Sequence, residues 1–296
     1  MSSFLRAHHW WALLAMVTVV VAGSCYGLFV PSAYPGVSAL QRETWRAQDA
    51  VNLGIAVLLL LGAARSSAGS ARHRLAELGL LAWLAYCGLH LAFGATFGPA
   101  FPLYLATAGL AGFGFLDGLI RSRPDAALPR FPARTAAVFL AVSGAGIAGL
   151  WLSEIVPGLT GAGRPANLHL GGLPNPTWVL DLLWLIPWSL AAARHLWRRS
   201  PAAPLVAVPL LVLLATLSLA MLLVTPFALA AGLAADQVVA PQLVGFTVVF
   251  GVLGGFEAVL LVRAFAAAGG TRLSTRAGWW QPAAGPGADR GGVPAR

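Results

Sequence analysis

Apolar residues occur along this chain in eight long runs, separated by short polar segments. The runs cover residues 8–30, 46–64, 75–96, 100–120, 135–156, 177–195, 203–227 and 239–267. A helix rises about 1.5 Å per residue, so about 20 apolar residues cross a hydrocarbon core about 30 Å thick. The pattern predicts an all-α, polytopic transmembrane bundle of about eight transmembrane helices over residues 1–268. Residues 269–296, rich in Gly, Pro, Ala and Arg, predict a disordered cytoplasmic tail.

The arginines are divided unequally between the two sides of this predicted bundle. The chain has no Lys, so all 19 basic residues are Arg, and only Arg42, Arg46 and Arg164 fall on one side. The other sixteen lie in or next to the N-terminal segment, the alternate connections and the tail, with Arg263 near the end of the last apolar run. Short cytoplasmic loops of membrane proteins are enriched in Arg and Lys, so both termini are predicted to be cytoplasmic. The Lys-free, Ala-, Leu- and Gly-rich composition is typical of GC-rich bacteria, which indicates a bacterial inner (plasma) membrane.

Composition excludes several classes of protein. A chain with 58% hydrophobic and 10% charged residues is too apolar for a soluble domain of 296 residues. The net charge of +9 lies in short loops and the tail, where it meets lipid headgroups, so the predicted partner is the lipid bilayer and no nucleic acid. The sequence contains no CxxC, HExxH, P-loop or nucleophile-elbow motif, so no metal and no cofactor is predicted.

Two parallel four-helix halves are one interpretation of the residue spacing. Pro31 and Pro157, each at the end of a predicted helix, are 126 residues apart. Asp49 and Asp181, each near the start of the next helix, are 132 residues apart. Such offsets are expected of a parallel internal repeat, and the alternative is chance similarity between helices that end in proline.

Acidic residues within the predicted helices need an explanation, because an ionised side chain at a helix centre costs roughly 2.5–3.5 kcal/mol on insertion scales. Glu77, Asp117 and Glu257 lie toward the cytoplasmic ends of helices three, four and eight. We expect each to reach the headgroup region or to pair with a loop arginine, as Asp117 can with Arg121 one turn later. These three carboxylates are interpreted as structural.

The outer ends of helices two and six carry the remaining polar residues of interest. Ser38 and Gln41 have capping-box spacing, which predicts that helix two starts near residue 38 and places Arg42, Arg46 and Asp49 on one stripe. Two interpretations stay open for this stripe. One is a self-neutralised Arg46–Asp49 pair that anchors the helix, and the other is a polar wall that faces a water-accessible cavity.

Helix six offers a second carboxylate at its outer end. Asn175 and Pro176 predict its start, Asp181 lies about a turn and a half inside, and Pro187 predicts a kink. Asp181 shares a predicted face with a row of tryptophans, at positions 178, 184 and 188. The face could bind a cationic ligand or form an aromatic interface in which an arginine neutralises Asp181. Glu154, at the outer end of helix five, lies at a similar depth.

His90 on helix three is the one histidine within a predicted apolar span that could carry chemistry. Haem ligation by two histidines needs a partner at similar depth, but His195 lies near the cytoplasmic side and His169 in an outer loop. We therefore expect a hydrogen-bonded packing residue that borders the predicted pocket, with haem ligation as the alternative.

Several motifs resemble those of an uncharacterised bacterial family of multi-pass, eight-helix integral membrane proteins. They are Leu150-Trp151-Leu152-Ser153-Glu154-Ile155-Val156-Pro157, Asn175-Pro176, Val179-Leu180-Asp181-Leu182, Gln48-Asp49, and the Phe93-Gly94, Phe97 and Pro102-Leu103-Tyr104 run. The resemblance spans most of helices two to six. It implies the eight-helix architecture and carries no activity. Family members often have Asn after the Phe at the helix-three exit, where this chain has Gly98.

The resulting functional prediction is binding or transport of a small molecule or ion through an outward-facing polar pocket. The pocket would be formed by the outer ends of helices two, three, five and six, with both aspartates approaching one cavity. Its predicted ligand-binding residues are Arg42, Arg46, Asp49, His90, Glu154 and Asp181. Arg42, Arg46 or Arg164 would supply the compensating charge. The alternatives are an accessory or assembly subunit without its own site and a membrane-embedded enzyme acting on a lipid or quinone.

Overall fold

The computed structural model describes residues 3–65, 70–122, 131–163, 168 and 172–268. Within these ranges it contains eight helices that are long and apolar enough to span a membrane, and no strand. They are α1 (Ser3–Phe29), α2 (Ala39–Arg65), α3 (Ala71–Gly94), α4 (Phe101–Arg121), α5 (Ala133–Thr160), α6 (Pro176–Trp197), α7 (Ala203–Ala230) and α8 (Val239–Ala267). The prediction of an all-α, eight-helix multi-pass bundle is confirmed. The predicted tail, Arg164 and His169 lie outside the described residues.

Short connections join consecutive helices, so neighbouring helices in the chain run in opposite directions. The starts of α1, α3, α5 and α7 and the ends of α2, α4, α6 and α8 therefore lie at one end of the bundle, here called the arginine-rich end. The other ends of these helices lie at the opposite end, where the α7–α8 connection contains a short 3₁₀ turn at Leu233–Ala235.

The centre of the bundle is formed by α3 and α7. Helix α3 packs against α2, α4, α6 and α7, and α7 packs against α2, α3, α6 and α8. Within the most apolar part of each helix, 67% of α3 and 61% of α7 is buried, compared with 22% of α5 and 17% of α8. Glycines allow the close approach, since a Cβ on Gly79 would lie 2.7 Å from the Pro209 carbonyl oxygen. The outer helices keep most of their apolar surface for lipid.

The helix contacts of the first four helices resemble those of the last four. Helix α1 packs on α2 as α5 packs on α6, α3 packs on α4 as α7 packs on α8, and α3 meets α7 between the two halves. The contact of α2 with α7 corresponds to the contact of α3 with α6. One pair departs from the pattern, because α1 packs against α4 whereas α5 and α8 share only sparse contacts.

Two of the predicted helix starts are correct, and one predicted helix end is wrong. The Ser38 hydroxyl oxygen accepts a hydrogen bond from the Gln41 amide at 3.2 Å, and the Asn175 side chain accepts one from the Thr177 amide at 2.9 Å. Both helix starts are thereby confirmed. The predicted end of helix five near Pro157 is wrong: α5 continues to Thr160 and ends at Gly161, whose φ is 74°. A proline removes one backbone donor without stopping the helix, and glycine readily adopts the left-handed conformation that closes it.

Candidate functional site

Asp49 is buried on the inner side of α2, with 1% of its surface exposed. Its carboxylate accepts a hydrogen bond from the hydroxyl of Tyr34, which comes from the α1–α2 connection. Burial, together with the nearby Asp49 charge, raises the pKa of the Tyr34 phenol well above its ordinary value, so this hydroxyl stays a donor. Gly27 of α1 makes room for the pair, since a Cβ there would overlap both the Asp49 carboxylate and the Tyr34 hydroxyl.

Contrary to the prediction, no arginine of α2 forms an ion pair with Asp49. Arg46 forms an ion pair with Glu43, Nη1 to Oε2 at 3.0 Å, and donates from Nη2 to the Leu28 carbonyl oxygen at 3.2 Å. Arg42 is half-buried, and its Nε has no hydrogen-bond partner. Among the described residues, no arginine lies within ion-pair distance of Asp49. The predicted Arg46–Asp49 pair is therefore corrected to Arg46–Glu43, because the buried Glu43 lies one turn away in the other direction and competes for the same guanidinium.

Asp181 is buried on α6, with 5% of its surface exposed. The Tyr86 hydroxyl donates to Oδ1 at 2.9 Å, and the Trp151 indole Nε1–H donates to Oδ2 at 2.8 Å. These two donors come from α3 and α5, so Asp181 ties three helices together. As at Asp49, no arginine of the described ranges is within ion-pair distance. Both carboxylates are thus held by neutral donors.

The chain around Asp181 departs from regular α-helix. Residues Asp181–Leu185 form a π-helical turn, in which the Ile186 amide donates to the Asp181 carbonyl oxygen. Pro187 follows directly and has no N–H to donate, so the expected break at this proline takes the form of a widened turn. Trp184 and Trp188 stack with ring centroids 6.1 Å apart along the same helix, which confirms an aromatic face beside the carboxylate.

Helix α3 connects the surroundings of the two carboxylates. Ring contacts run from Tyr34 to Trp45 at 5.0 Å, from Trp45 to His90 at 6.2 Å, and from His90 to Tyr86 at 6.2 Å. His90 Nε2 lies 3.2 Å from the Thr177 hydroxyl oxygen of α6. The predicted role of His90 as a hydrogen-bonded packing residue is confirmed. We call this series from Tyr34 to Tyr86 the aromatic bridge.

Side chains next to the aromatic bridge, toward the arginine-rich end, add further polar contacts between α2 and α3. The Gln48 amide donates to the Cys87 sulfur at 2.7 Å, and the Trp83 indole donates to the Asn52 amide oxygen at 2.8 Å. All four side chains are buried. Buried amide and indole groups need partners, so these contacts fix how α2 and α3 face one another.

The six predicted ligand-binding residues, Arg42, Arg46, Asp49, His90, Glu154 and Asp181, lie near one end of the bundle, opposite the arginine-rich end. The aromatic bridge runs from the tyrosine that contacts Asp49 to the tyrosine that contacts Asp181. Glu154 is half-buried on α5, one turn after Trp151. Within the described residues, cavities of about 530 and 470 Å³ lie near the arginine-rich end, lined by residues 131–142, 196–204 and Phe256. Neither is lined by any of the six.

The main donors to the two carboxylates, Tyr34, Tyr86 and Trp151, were not predicted as site residues, because none of them is charged or a typical metal ligand. A signal was present nevertheless. Tyr86 lies one turn from His90 on α3, and the polar tip of a buried Tyr or Trp nearly always has a hydrogen-bond partner. The buried aspartates of neighbouring helices were the available acceptors.

The three carboxylates interpreted as structural divide into two kinds. Glu77 pairs with Arg74 at 2.9 Å and Asp117 with Arg121 at 2.7 Å, as predicted. The expectation for Glu257 is wrong: it is buried, with 3% exposed, and accepts a hydrogen bond from the Ser218 hydroxyl at 2.8 Å. It lies almost three turns from the end of α8, too deep to reach a loop arginine.

Comparisons with protein-family models, with curated proteins and with solved structures gave no match. The resemblance to a bacterial family of eight-helix membrane proteins therefore stays a prediction from sequence motifs.

Proposed function

We propose that this multi-pass membrane protein binds and transports a small solute or ion in a proton-coupled manner, with Asp49 and Asp181 as the proton-carrying groups. The observation that carries the proposal is the state of these two carboxylates: both are buried near the end of the bundle opposite the arginine-rich end, and both are held by neutral donors. An unneutralised carboxylate inside a membrane protein costs several kcal/mol unless a cation joins it. Such groups are typical of ion and proton pathways.

The proton is the cation that these surroundings fit best. A metal cation requires several oxygen ligands, whereas the contacts of Asp181 include an indole N–H and a phenolic O–H, both of which donate. A proton needs no coordination shell and removes the buried charge completely. The Tyr34 hydroxyl offers Asp49 the same kind of contact. Both aspartates can therefore exchange a proton without rearrangement of several ligands.

Passage of a solute requires movement of the helices around α3, because the two aspartates face the inside of a closed bundle. The π-helical turn at Asp181 gives α6 a point where its hydrogen-bond pattern already changes. Such turns often occur at functional positions in membrane helices. We propose that α6 moves against α3 at this turn, breaks the Tyr86–Asp181 hydrogen bond and opens the site to the outer side of a bacterial plasma membrane.

The test is proton uptake by purified full-length protein in proteoliposomes that contain a pH-sensitive dye, under an imposed membrane potential. Asp49→Asn and Asp181→Asn should each reduce proton flux at least tenfold, since neither amide can carry the proton. Infrared spectroscopy of the same samples should show the loss of one titrating carboxyl band in each variant.

Asp117→Asn is the matched control. This aspartate is ion-paired to Arg121 and lies at the arginine-rich end, so its amide should leave proton flux and the bands of the two buried carboxyls unchanged. Normal folding of Asp49→Asn and Asp181→Asn with wild-type flux and unchanged carboxyl bands would contradict the proposal. That result would favour an accessory subunit, and conversion of a lipid or quinone by the wild-type protein alone would favour the enzyme alternative.

A further inference from the structure

A membrane-facing groove lies between α5, α6 and α8 in the second half of the bundle. Its volume is about 530 Å³, and its walls include Val138, Val142, Trp197 and Phe256. Phe139 and Phe256 stack with ring centroids 4.9 Å apart, which bridges the two helices that otherwise share only sparse contacts. Val138 and Val142 lie one turn apart on α5 and are 51% and 66% exposed. The groove is an apolar channel that opens toward lipid.

A basic pocket continues this groove at the arginine-rich end. The second cavity, of about 470 Å³, shares Arg134 and Thr135 with the groove and adds Arg199 and Ser200 from the α6–α7 connection. Among the described residues, no carboxylate lies within ion-pair distance of Arg134 or Arg199. Two guanidinium groups without an ion-pair partner among the described residues thus stand at the arginine-rich end of an apolar channel.

The backbone at Arg199 shows that this arginine occupies a position that ordinarily favours glycine. Its φ is 50°, and no other non-glycine residue of the described chain has a positive φ. The Ser200 amide donates to the His195 carbonyl oxygen at 3.0 Å, and the Arg199 amide to that of Leu196 at 3.1 Å. These two bonds form a Schellman motif in which Arg199 stands at the left-handed position. An arginine there is strained, and such strain is often associated with function.

We propose that the groove and the basic pocket together bind one anionic phospholipid. Its phosphate would contact Arg134 and Arg199, and an acyl chain would lie along Val138 and Val142. Guanidinium groups bind phosphate oxygens through paired N–H donors, and basic pockets between helices at the membrane surface recognise anionic headgroups. The apolar channel requires an occupant with a hydrocarbon chain, which distinguishes a lipid from free phosphate. This site is independent of the proposed proton-coupled transport.

Native mass spectrometry of the full chain in mild detergent, titrated with phosphatidylglycerol or phosphatidylcholine, tests the proposal. We expect one phosphatidylglycerol bound, with phosphatidylcholine at least tenfold weaker. Arg199→Gly should weaken phosphatidylglycerol binding roughly tenfold, as expected for one charge-assisted contact. Glycine suits the left-handed position, so this variant should keep or increase its thermal stability. Lost binding could then not be attributed to misfolding.

Arg198→Gln is the matched charge control, because Arg198 is exposed, adjacent in sequence and absent from the cavity walls. It should leave lipid binding unchanged, and an equal loss in Arg198→Gln and Arg199→Gly would overturn the proposal. Val138→Trp fills the channel and should weaken phosphatidylglycerol binding, whereas Val248→Trp on the exposed face of α8 should not. Inorganic phosphate that binds as tightly as the lipid, or a dimer of this chain that binds no lipid, would also overturn it.

Discussion

The two halves of the bundle, α1–α4 and α5–α8, share a pattern of helix contacts but differ in how they hold charge and in how they close. In the first half, α2 carries an Arg46–Glu43 ion pair just before the buried Asp49. In the second half, the segment before Asp181 is uncharged, and its carboxylate depends on Tyr86 and Trp151. The same helix arrangement therefore places one of the two buried aspartates just after an ion pair and the other in an uncharged segment.

The two halves also differ in whether their first and last helices pack against each other. Helix α1 packs against α4, whereas α5 and α8 share only sparse contacts and leave the lipid-facing groove between them. The buried share of the most apolar window is 39% for α1 and 28% for α4, compared with 22% for α5 and 17% for α8. One half is thus closed by contact between its two outer helices, whereas the other leaves a groove that the proposed phospholipid would fill.

The largest expected effect tests whether the two halves have the same orientation in the membrane, because labelling of each position is all-or-none. Parallel halves place Ser32 and Gly163, after α1 and α5, on the same side of the membrane. Arginine asymmetry predicts that this side is the outer one. We expect Ser32→Cys and Gly163→Cys to react completely with a membrane-impermeant maleimide added to intact cells. Labelling of both positions only after the cells are opened would reverse the topology, and labelling from different sides would break the parallel arrangement.

The contact between the halves should be the next most sensitive feature. A Cβ on Gly79 would lie 2.7 Å from the Pro209 carbonyl oxygen and would overlap the Val212 side chain. Because the backbone of α7 cannot move aside freely, Gly79→Val should destabilise the protein by about 3 kcal/mol, the upper part of the range for overpacking. Thermal unfolding in mild detergent would measure the loss. The control is Gly146→Val on α5, where nothing lies within 4 Å, and equal losses in both variants would contradict a tight α3–α7 crossing.

The two carboxylates should respond unequally to the loss of a tyrosine donor. Arg46 lies close enough to act electrostatically on Asp49, whereas the described surroundings of Asp181 supply no such cation. Tyr86→Phe should therefore cost about 2–3 kcal/mol and Tyr34→Phe about 1–2 kcal/mol, within the range for a buried polar group that loses its partner. Tyr26→Phe, at a half-buried tyrosine of α1, is the control. A greater loss in Tyr34→Phe than in Tyr86→Phe would break the proposed difference between the halves.

The elements of this fold could be predicted from sequence because their causes are local. Apolar run length sets the eight helices, and the caps at Ser38 and Asn175 depend on residues two or three positions away. The partner of Asp49 could not be predicted in this way. Arg46 has one carboxylate three residues before it and another three residues after it, so helical spacing does not choose between Glu43 and Asp49. Packing settles the two contacts: Tyr34 reaches Asp49 across the space beside Gly27, and Arg46 pairs with the buried Glu43.

Long-range packing also explains the remaining errors. Glu257 was expected to reach the headgroups, but Ser218 of α7 comes within 2.8 Å and provides a buried partner. The lipid-facing groove near the arginine-rich end lies where α5 and α8 share only sparse contacts, which no periodicity in either helix reveals. In a membrane protein, apolar faces toward lipid and apolar faces toward protein have similar compositions, so sequence alone does not show which pairs of helices meet.

The smallest expected effect concerns the Arg46–Glu43 ion pair. Removing the glutamate charge and removing the arginine charge should cost different amounts of stability. The Arg46 side chain is 36% exposed and the Glu43 side chain 6%. Glu43→Gln leaves a guanidinium that water can reach and that still donates to the Leu28 carbonyl oxygen, so the loss should be about 1 kcal/mol or less. Arg46→Gln instead leaves a buried carboxylate without its cation and should cost more, roughly 1–3 kcal/mol. Unfolding of both variants in the same detergent would measure the difference. If Glu43→Gln were the more damaging, the glutamate's other contacts rather than the arginine would stabilise this region. The contrast between the charged segment before Asp49 and the uncharged segment before Asp181 would then lose its physical basis.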